Sequence, residues 1–297
     1  MNDSGSRVVV PEEFARWRAH LDGVSGRAWV AALPAHVERL LARWRLTLDE
    51  AAPRHGGQAL VLMVTRDDRP LALKLSAPQD PATAREAAGL RAWRGRGTVE
   101  LLESEPGAVL LERLDHTRTL HALPVREAAV IAGGLLRLLA IPPPPEVPAL
   151  PDIATTLPER HRRLGDPVPG RWFSQALEYA VDLPGAGENV LLHADLHYGN
   201  ILAGIRYPWL AIDPRPLSGP PEYSVPELLW SRVDELHSAA EIRRLCDLLV
   251  DAAGLDPGLA VGWAVTRCVD YWLWGLERGL TIDPVRCSRV VAALLRD

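Results

Sequence analysis

Lysine is almost absent from this chain: Lys74 is the only lysine among 33 basic side chains, the rest being arginine. Cysteine is scarce as well. Cys246, Cys268 and Cys287 are scattered, odd in number and without metal-ligand spacing, which points to reduced core thiols in a cytoplasmic protein. No apolar run is long enough to span a bilayer; the most apolar helix candidate, 128–141, is short and carries Arg137. The opening Met-Asn-Asp-Ser-Gly-Ser-Arg lacks the apolar centre of a signal peptide. Excess positive charge is missing too. A net charge of −5 argues against nucleic acid as the main partner and leaves room for a cationic small molecule. There is no internal repeat. What remains is a soluble globular composition, 47% hydrophobic and 24% charged, in 297 residues, enough for one large or two ordinary domains.

Polar residues are densest between Leu192 and Arg215, where two apolar runs, 190–193 and 209–212, each end in chemistry-bearing side chains. Asp195 precedes Asn200 by five residues, and Asp213 closes the second run. Kinase-type phosphotransferases present their chemistry in that order. A loop Asp receives the acceptor hydroxyl, a following Asn holds magnesium, and a later strand-end Asp holds magnesium again. Phosphoryl transfer needs little covalent help, so placing metal and hydroxyl in line is the main task. Two other readings stay open. His193, Asp195 and His197 alternate, so on an extended strand they would share a face and could form the zinc or iron site of a metal hydrolase. The segment could also be a polar turn between strands.

The solitary lysine lies in Pro70-Leu-Ala-Leu-Lys-Leu75, a charge inside an apolar strand. A compact ammonium fits between phosphates where a planar guanidinium does not, so Lys74 is a candidate nucleotide contact. Before it, His55-Gly56-Gly57-Gln58 reads as a turn, 59–65 and 71–76 as strands, and 66–70 as the hairpin between them. The backbone of Gly56, Gly57 and Gln58 could approach phosphate oxygens. Residues 81–93 read as a helix that carries Glu86, placed to pair with Lys74 if it packs behind the strand. A further hairpin spans 99–112, and the backbone around Glu112 in Leu111-Glu-Arg-Leu114 suits an adenine edge.

Elsewhere the periodicity is helical: 11–48, with Pro34 starting or kinking its second segment, 124–140 with a weak spot at Gly133-Gly134, and 152–164 and 171–181. Ser224-Val-Pro-Glu227 has the form of a capping box opening a helix through Val233, and helices near 238–253, 257–279 and 283–295 follow. The proline run 141–148 reads as a stiff connection within a second lobe. The expected division is 1–114, a lobe with leading helices, β-sheet and nucleotide site, and 115–297, a helical lobe with catalytic loop and acceptor site. Asp234, Glu235, Asp270 and Glu277 are solvated helix faces or part of an acidic acceptor pocket.

With Lys74, Glu86, His193-Ala-Asp195, Asn200 and Ile212-Asp-Pro214 together, the chain resembles the aminoglycoside phosphotransferases, most closely the streptomycin 6-kinase and hydroxyurea phosphotransferase branch. The resemblance runs through Ala28-Trp-Val-Ala-Ala-Leu-Pro34, Leu73-Lys-Leu75, 85–93, Leu110-Leu-Glu-Arg113 and Trp209–Pro214. It implies an α+β, two-lobed protein-kinase-like fold and an ATP- and magnesium-dependent enzyme acting on a cationic aminoglycoside, streptomycin first; the expected state, a monomer or weak dimer, is not part of that resemblance. By position Asp195 resembles the family's base, Asn200 and Asp213 its magnesium ligands, Lys74 its α/β-phosphate contact, Glu86 that lysine's partner, and His193 its loop anchor. Ala194 stands where protein kinases carry Arg, consistent with no activation-loop phosphate and a small acceptor. One departure stands out: the branch reads Asp-Pro-x-Tyr-Asp after the position of Gly219, whereas here Pro220-Pro-Glu-Tyr-Ser224 follows. The missing acid leaves a nucleotide-binding protein without catalysis as an alternative.

Overall fold

The computed structural model describes residues 8–49 and 51–295. The N-terminal stretch on which the signal-peptide reading fell lies outside them. Two compact units emerge, Met1–Gly95 with Val99–Leu114, and Arg96–Thr98 with Asp115–Asp297.

The first unit runs α1 (Glu12–Trp44), β1 (Thr47–Leu48), β2 (Arg54–His55), β3 (Leu60–Arg66), β4 (Arg69–Leu75), α2 (Pro81–Trp93), β5 (Leu101–Glu105) and β6 (Ala108–Glu112). Its antiparallel sheet has the order β1-β3-β4-β6-β5, with β2 beside β3. Strand alternation decides which side chains do what. Leu60, Leu62 and Val64 on β3 and Leu71, Leu73 and Leu75 on β4 are buried with Trp29, Leu33, Val37, Leu40 and Trp44 of α1. Period two therefore turns Lys74 to the opposite face of the sheet. Asp67 and Asp68 both take left-handed φ (51° and 60°), the conformation a two-residue hairpin with the right twist requires. Gly107 is needed at the β5–β6 turn: its φ is +79° and a Cβ would lie 2.8 Å from the Ser76 carbonyl.

One expectation for α1 needs correction. Pro34 sits inside the helix without interrupting it, and the break falls at Gly23 (φ 57°, ψ −123°). Only glycine reaches that conformation cheaply, so it takes the bend.

The second unit contains β7 (Asp115–Thr119), α3 (Val125–Leu139), α4 (Ile153–Arg163), α5 (Gly170–Asp182), β8 (Val190–Leu192), β9 (Ile201–Ala203), β10 (Trp209–Ala211), β11 (Leu217–Gly219), α6 (Val225–Trp230), α7 (Ala239–Ala253), α8 (Pro257–Glu277) and α9 (Ile282–Leu294). Its strands form two small sheets, β10-β9-β7 and β11-β8. Helix ends follow local chemistry. The carboxylate of Asp256 accepts the Leu259 N–H at 2.8 Å ahead of Pro257, and Gly254 closes α7 at φ 69°. Gly133 is no weak spot. Helix α3 continues through it, and a Cβ there would come within 2.7 Å of Ala252 Cβ, so the glycine lets α3 approach α7 closely. The proline run lies along β8 and β11: Leu191 N–H donates to the Ile141 carbonyl at 2.7 Å, and Ser218 N–H to the Pro148 carbonyl at 2.8 Å. Among the described residues no helix is long and apolar enough to cross a membrane.

Candidate active site

In the first unit Lys74 is built into the centre of the sheet, opposite Val61 on β3 and Val109 on β6. Its Nζ meets both carboxylate oxygens of Glu86 at 2.7 Å. Both side chains are largely buried, 12% and 6% exposed, so the two charges face each other in a poorly solvated setting. Helix α2 aims Glu86 because Asp80 caps it, accepting the Ala82 N–H at 2.9 Å, and Pro81 opens its first turn. Leu90 and Trp93 pack on the buried side with Glu86. The ion pair expected between Lys74 and Glu86 is formed.

Gly56, Gly57 and Gln58 form the exposed turn between β2 and β3, closed by a 3.2 Å hydrogen bond from Gly56 N–H to the Ala59 carbonyl. Neither glycine adopts positive φ. Glu112 ends β6 with its N–H donated to the Glu100 carbonyl (2.9 Å) and a carboxylate oxygen accepting the Glu100 N–H (3.0 Å). That N–H is thus taken by Glu100, just ahead of β5.

In the second unit backbone register assembles the other three residues. Asn200 immediately precedes β9, Asp213 follows β10, and Ile201 pairs with Ala211. The two polar side chains thus leave the same end of one hairpin. Ile212 N–H donates to the Asn200 carbonyl at 2.9 Å, continuing the ladder past the strands. The loop after β8 is fastened to this end twice: His193 Nε2 lies 3.0 Å from the Ile212 carbonyl, and Arg215 N–H donates to the His193 carbonyl at 2.8 Å. Asp195 is held beside Asn200, whose side-chain nitrogen donates to the Asp195 carbonyl at 2.9 Å. Ala194 and Asp213 both have φ of 56°. For alanine this left-handed conformation costs on the order of 1–2 kcal/mol, which the surrounding hydrogen bonds must offset.

These contacts bear on the metal-hydrolase reading. His193 is committed to a carbonyl, and His197 Nδ1 accepts the Gly199 N–H at 3.1 Å. Among the described residues no three His, Cys, Asp or Glu side chains group as metal ligands. Asn200 and Asp213 suit a different ion. With the amide nitrogen of Asn200 directed to Asp195, its carbonyl oxygen and the Asp213 carboxylate offer the hard oxygen donors magnesium takes.

Asp195 has an unusual proton affinity. Burial, then the charge of Glu227, push its pKa up to about 7; Asp213 adds to this, while Arg215 and Arg267 oppose it. Arg215 Nε lies 3.1 Å from the Asp195 carboxylate. Glu227 comes from α6 and pairs with Arg267 at 3.2 Å, and Arg267 is stacked over Tyr223 at 4.1 Å to the ring centroid. The sequence assigns no site role to Arg215, Glu227 or Arg267, and Glu227 reads there only as part of a capping box. The one available signal was the position of Arg215, two residues after Asp213.

The capping box at Ser224 is absent. Ser224 has helical φ and ψ and makes no capping bond, because a 3-10 turn at Pro221–Ser224 runs straight into α6. Glu227 is free of capping duty and serves Arg267. The helix also ends at Trp230, short of Val233. The acidic residues considered for an acceptor pocket are paired with arginines: Asp270 and Glu277 with Arg160, Glu235 with Arg232, and Asp234 with Arg286 and Arg289.

Residues 43–279 match the family model of the aminoglycoside/hydroxyurea antibiotic resistance kinases. The chain is 42% identical over 291 residues to a streptomycin 6-kinase of Streptomyces glaucescens, covering 93% of this chain and 94% of that one. It is 40% identical over 302 residues to a hydroxyurea phosphotransferase of Kitasatospora aureofaciens, covering 98% and 87%. Among solved structures it is similar to aminoglycoside phosphotransferase APH(4)-Ia, with a TM-score of 0.60 at 16% identity over 86% of this chain and 98% of that one. A choline/ethanolamine kinase family protein from Mesorhizobium loti gives 0.59 at 15% identity, over 84% and 89%. The fold is therefore α+β and protein-kinase-like, with a β-sheet lobe and a helical lobe. On the sequence match over most of its length, the chain belongs to the aminoglycoside/hydroxyurea antibiotic resistance kinase family.

Proposed function

We propose that the protein is an ATP- and magnesium-dependent O-phosphotransferase acting on a hydroxyl of an aminoglycoside, with streptomycin the first acceptor to test. The observation that carries this reading is the double fastening of the Asp195 loop to the Asn200–Asp213 hairpin end. It gives one base candidate and two oxygen ligands a common rigid support. In this reading Asp195 orients the acceptor hydroxyl and takes its proton late in transfer. Asn200 and Asp213 hold magnesium, which when bound offsets phosphate charge and orients the γ-phosphoryl group. Lys74 contacts the α- and β-phosphates as a point charge, kept in position by Glu86, and the turn offers the backbone N–H groups of Gly57 and Gln58 to phosphate, that of Gly56 being donated to Ala59. A pKa near neutrality suits a base that is ionised in a substantial fraction of molecules at neutral pH and can still bind a proton in transit. A cationic acceptor is consistent with a net charge of −5.

The relative named as a hydroxyurea phosphotransferase puts hydroxyurea on the acceptor panel beside streptomycin and other aminoglycosides. Purified protein, ATP and magnesium are incubated with each compound, and products are examined by mass spectrometry. Gain of one phosphoryl group by streptomycin is the expected result. Nucleotide binding without transfer to any acceptor would move the protein to the non-catalytic class.

A further inference from the structure

The turn between β2 and β3 is held from outside the hairpin. The Gly57 carbonyl accepts two donors from α1, the indole Nε1 of Trp17 at 3.0 Å and Nη1 of Arg18 at 3.2 Å. Both donors are themselves fixed. Arg18 is buried, pairs with Asp22 one turn on, and lies over the Trp29 ring at 5.2 Å. Gly26 lies so close to the Arg18 carbonyl that a Cβ there would fall 2.2 Å from it. Phe14 meets Trp29 edge-on at 5.6 Å and the His55 ring at 5.5 Å. The leading part of α1 is thereby attached to both the core and the hairpin.

A trans peptide is planar, with its C=O and N–H pointing in opposite directions. Two donors that draw the Gly57 carbonyl toward α1 turn the Gln58 N–H, in the same peptide unit, to the other side. We infer that Trp17 and Arg18 are positioning residues: they fix the orientation of the Gly57–Gln58 peptide so that its N–H, and not its carbonyl, is presented to the phosphates of a nucleoside triphosphate. This rests on the reading of the turn as a phosphate-binding element. Turning this peptide over rotates ψ of Gly57 and φ of Gln58, and glycine, having no Cβ, leaves ψ on its side the least restricted of any residue. Without the clamp, the turn spends part of its time offering an oxygen to an anion, and apparent affinity falls by the fraction of chains left competent.

Trp17→Phe keeps a ring and removes the donor. At a half-exposed position it should fold, and thermal melting verifies this. Calorimetric titration of the full chain with ATP and with adenosine should show ATP binding weakened about 3- to 10-fold and adenosine binding unchanged. The double variant Trp17→Phe/Arg18→Met should lose more. Equal ATP affinity in parent and both variants, or equal loss for ATP and adenosine, would overturn the inference. Gln58→Pro, which deletes the N–H itself, separates the two levels. If it weakens ATP binding while the Trp17 and Arg18 variants do not, the clamp is wrong and the turn reading stands. If it leaves ATP binding intact, the turn reading falls and takes the clamp with it.

Discussion

The two units each hold a carboxylate beside a cation, and the two pairs differ in how fully the charges are matched. Glu86 engages Lys74 through both oxygens at 2.7 Å with both side chains largely buried. Asp195 meets Arg215 Nε at 3.1 Å, and that arginine is 56% exposed. The first arrangement holds a charge in place. The second leaves a partly buried carboxylate only partly compensated, with Glu227 adding repulsion, so its pKa rises to about 7. Under the proposed function the contrast has a use: a residue that only holds a phosphate would be best locked, and one that exchanges a proton best left under tension.

The largest effect expected from breaking this contrast is at Asp195. Asp195→Ala should lower turnover by about 10²–10⁴ while nucleotide binding persists, and wild-type turnover would remove Asp195 from the mechanism. Asp195→Asn offers a second, independent reading of the same tension. The folded chain holds the Asp195 proton up to about pH 7, whereas the unfolded chain releases it near the ordinary value of 3.8. Between those values the folded state binds more protons, so stability falls as pH rises through the window and stays reduced above it. Asn cannot ionise. The variant should therefore melt higher than the parent at about pH 8, by an amount on the order of a few kcal/mol at most, and together with it near pH 4. Superimposable melting temperatures at both pH values would show that the charge is not strained.

Next comes the locked pair. Lys74→Arg keeps the charge but replaces a compact ammonium by a planar fork that cannot repeat two short contacts and still reach between phosphates. The Michaelis constant for ATP should rise about tenfold, with the constant for the acceptor unmoved. Glu86→Gln leaves the buried ammonium with a neutral neighbour and should cost about 3–5 kcal/mol of stability as well as ATP affinity. Unaltered ATP kinetics in both variants would leave the pair a structural feature only.

How far these sites were legible in the sequence follows the same division. Lys74 and Glu86 could be read because a lone lysine in an alternating strand and a capped helix one connection later are local patterns, and local patterns survive folding. Asp195, Asn200 and Asp213 stood out through spacing. Arg215, Glu227 and Arg267 did not; Glu227 and Arg267, for example, meet only through the packing of α6 against α8, which no periodicity reports. The Ser224 capping box failed for a related reason. Its residue types fit the pattern, but a 3-10 turn upstream already supplied the helix start, and Glu227 found Arg267 instead. Strand β7 escaped because Asp115–Thr119 is polar throughout and exposed, with no alternation to detect. Gly23 took the bend assigned to Pro34 because proline is tolerated where its ring and missing N–H can be accommodated, whereas a φ of 57° with ψ of −123° is reserved for glycine.

The smallest effect tests whether Arg215 tunes Asp195 or merely neighbours it. Its guanidinium is one of two charges that favour the ionised carboxylate, so Arg215→Ala should raise the Asp195 pKa further. An exposed cation is screened by solvent and salt, which keeps the change below about one pH unit. The acid limb of kcat/KM against pH, which reports the free enzyme, should move to higher pH by that amount. At about pH 7 the variant would then be a few-fold slower, and above about pH 9, where the carboxylate is ionised in either protein, the two rates should converge. Raising ionic strength should shrink the difference at neutral pH, because it screens the same interaction in the parent. A variant that is slower by one constant factor at every pH would instead make Arg215 a contact for substrate or phosphate, and its 3.1 Å approach to Asp195 incidental to proton transfer.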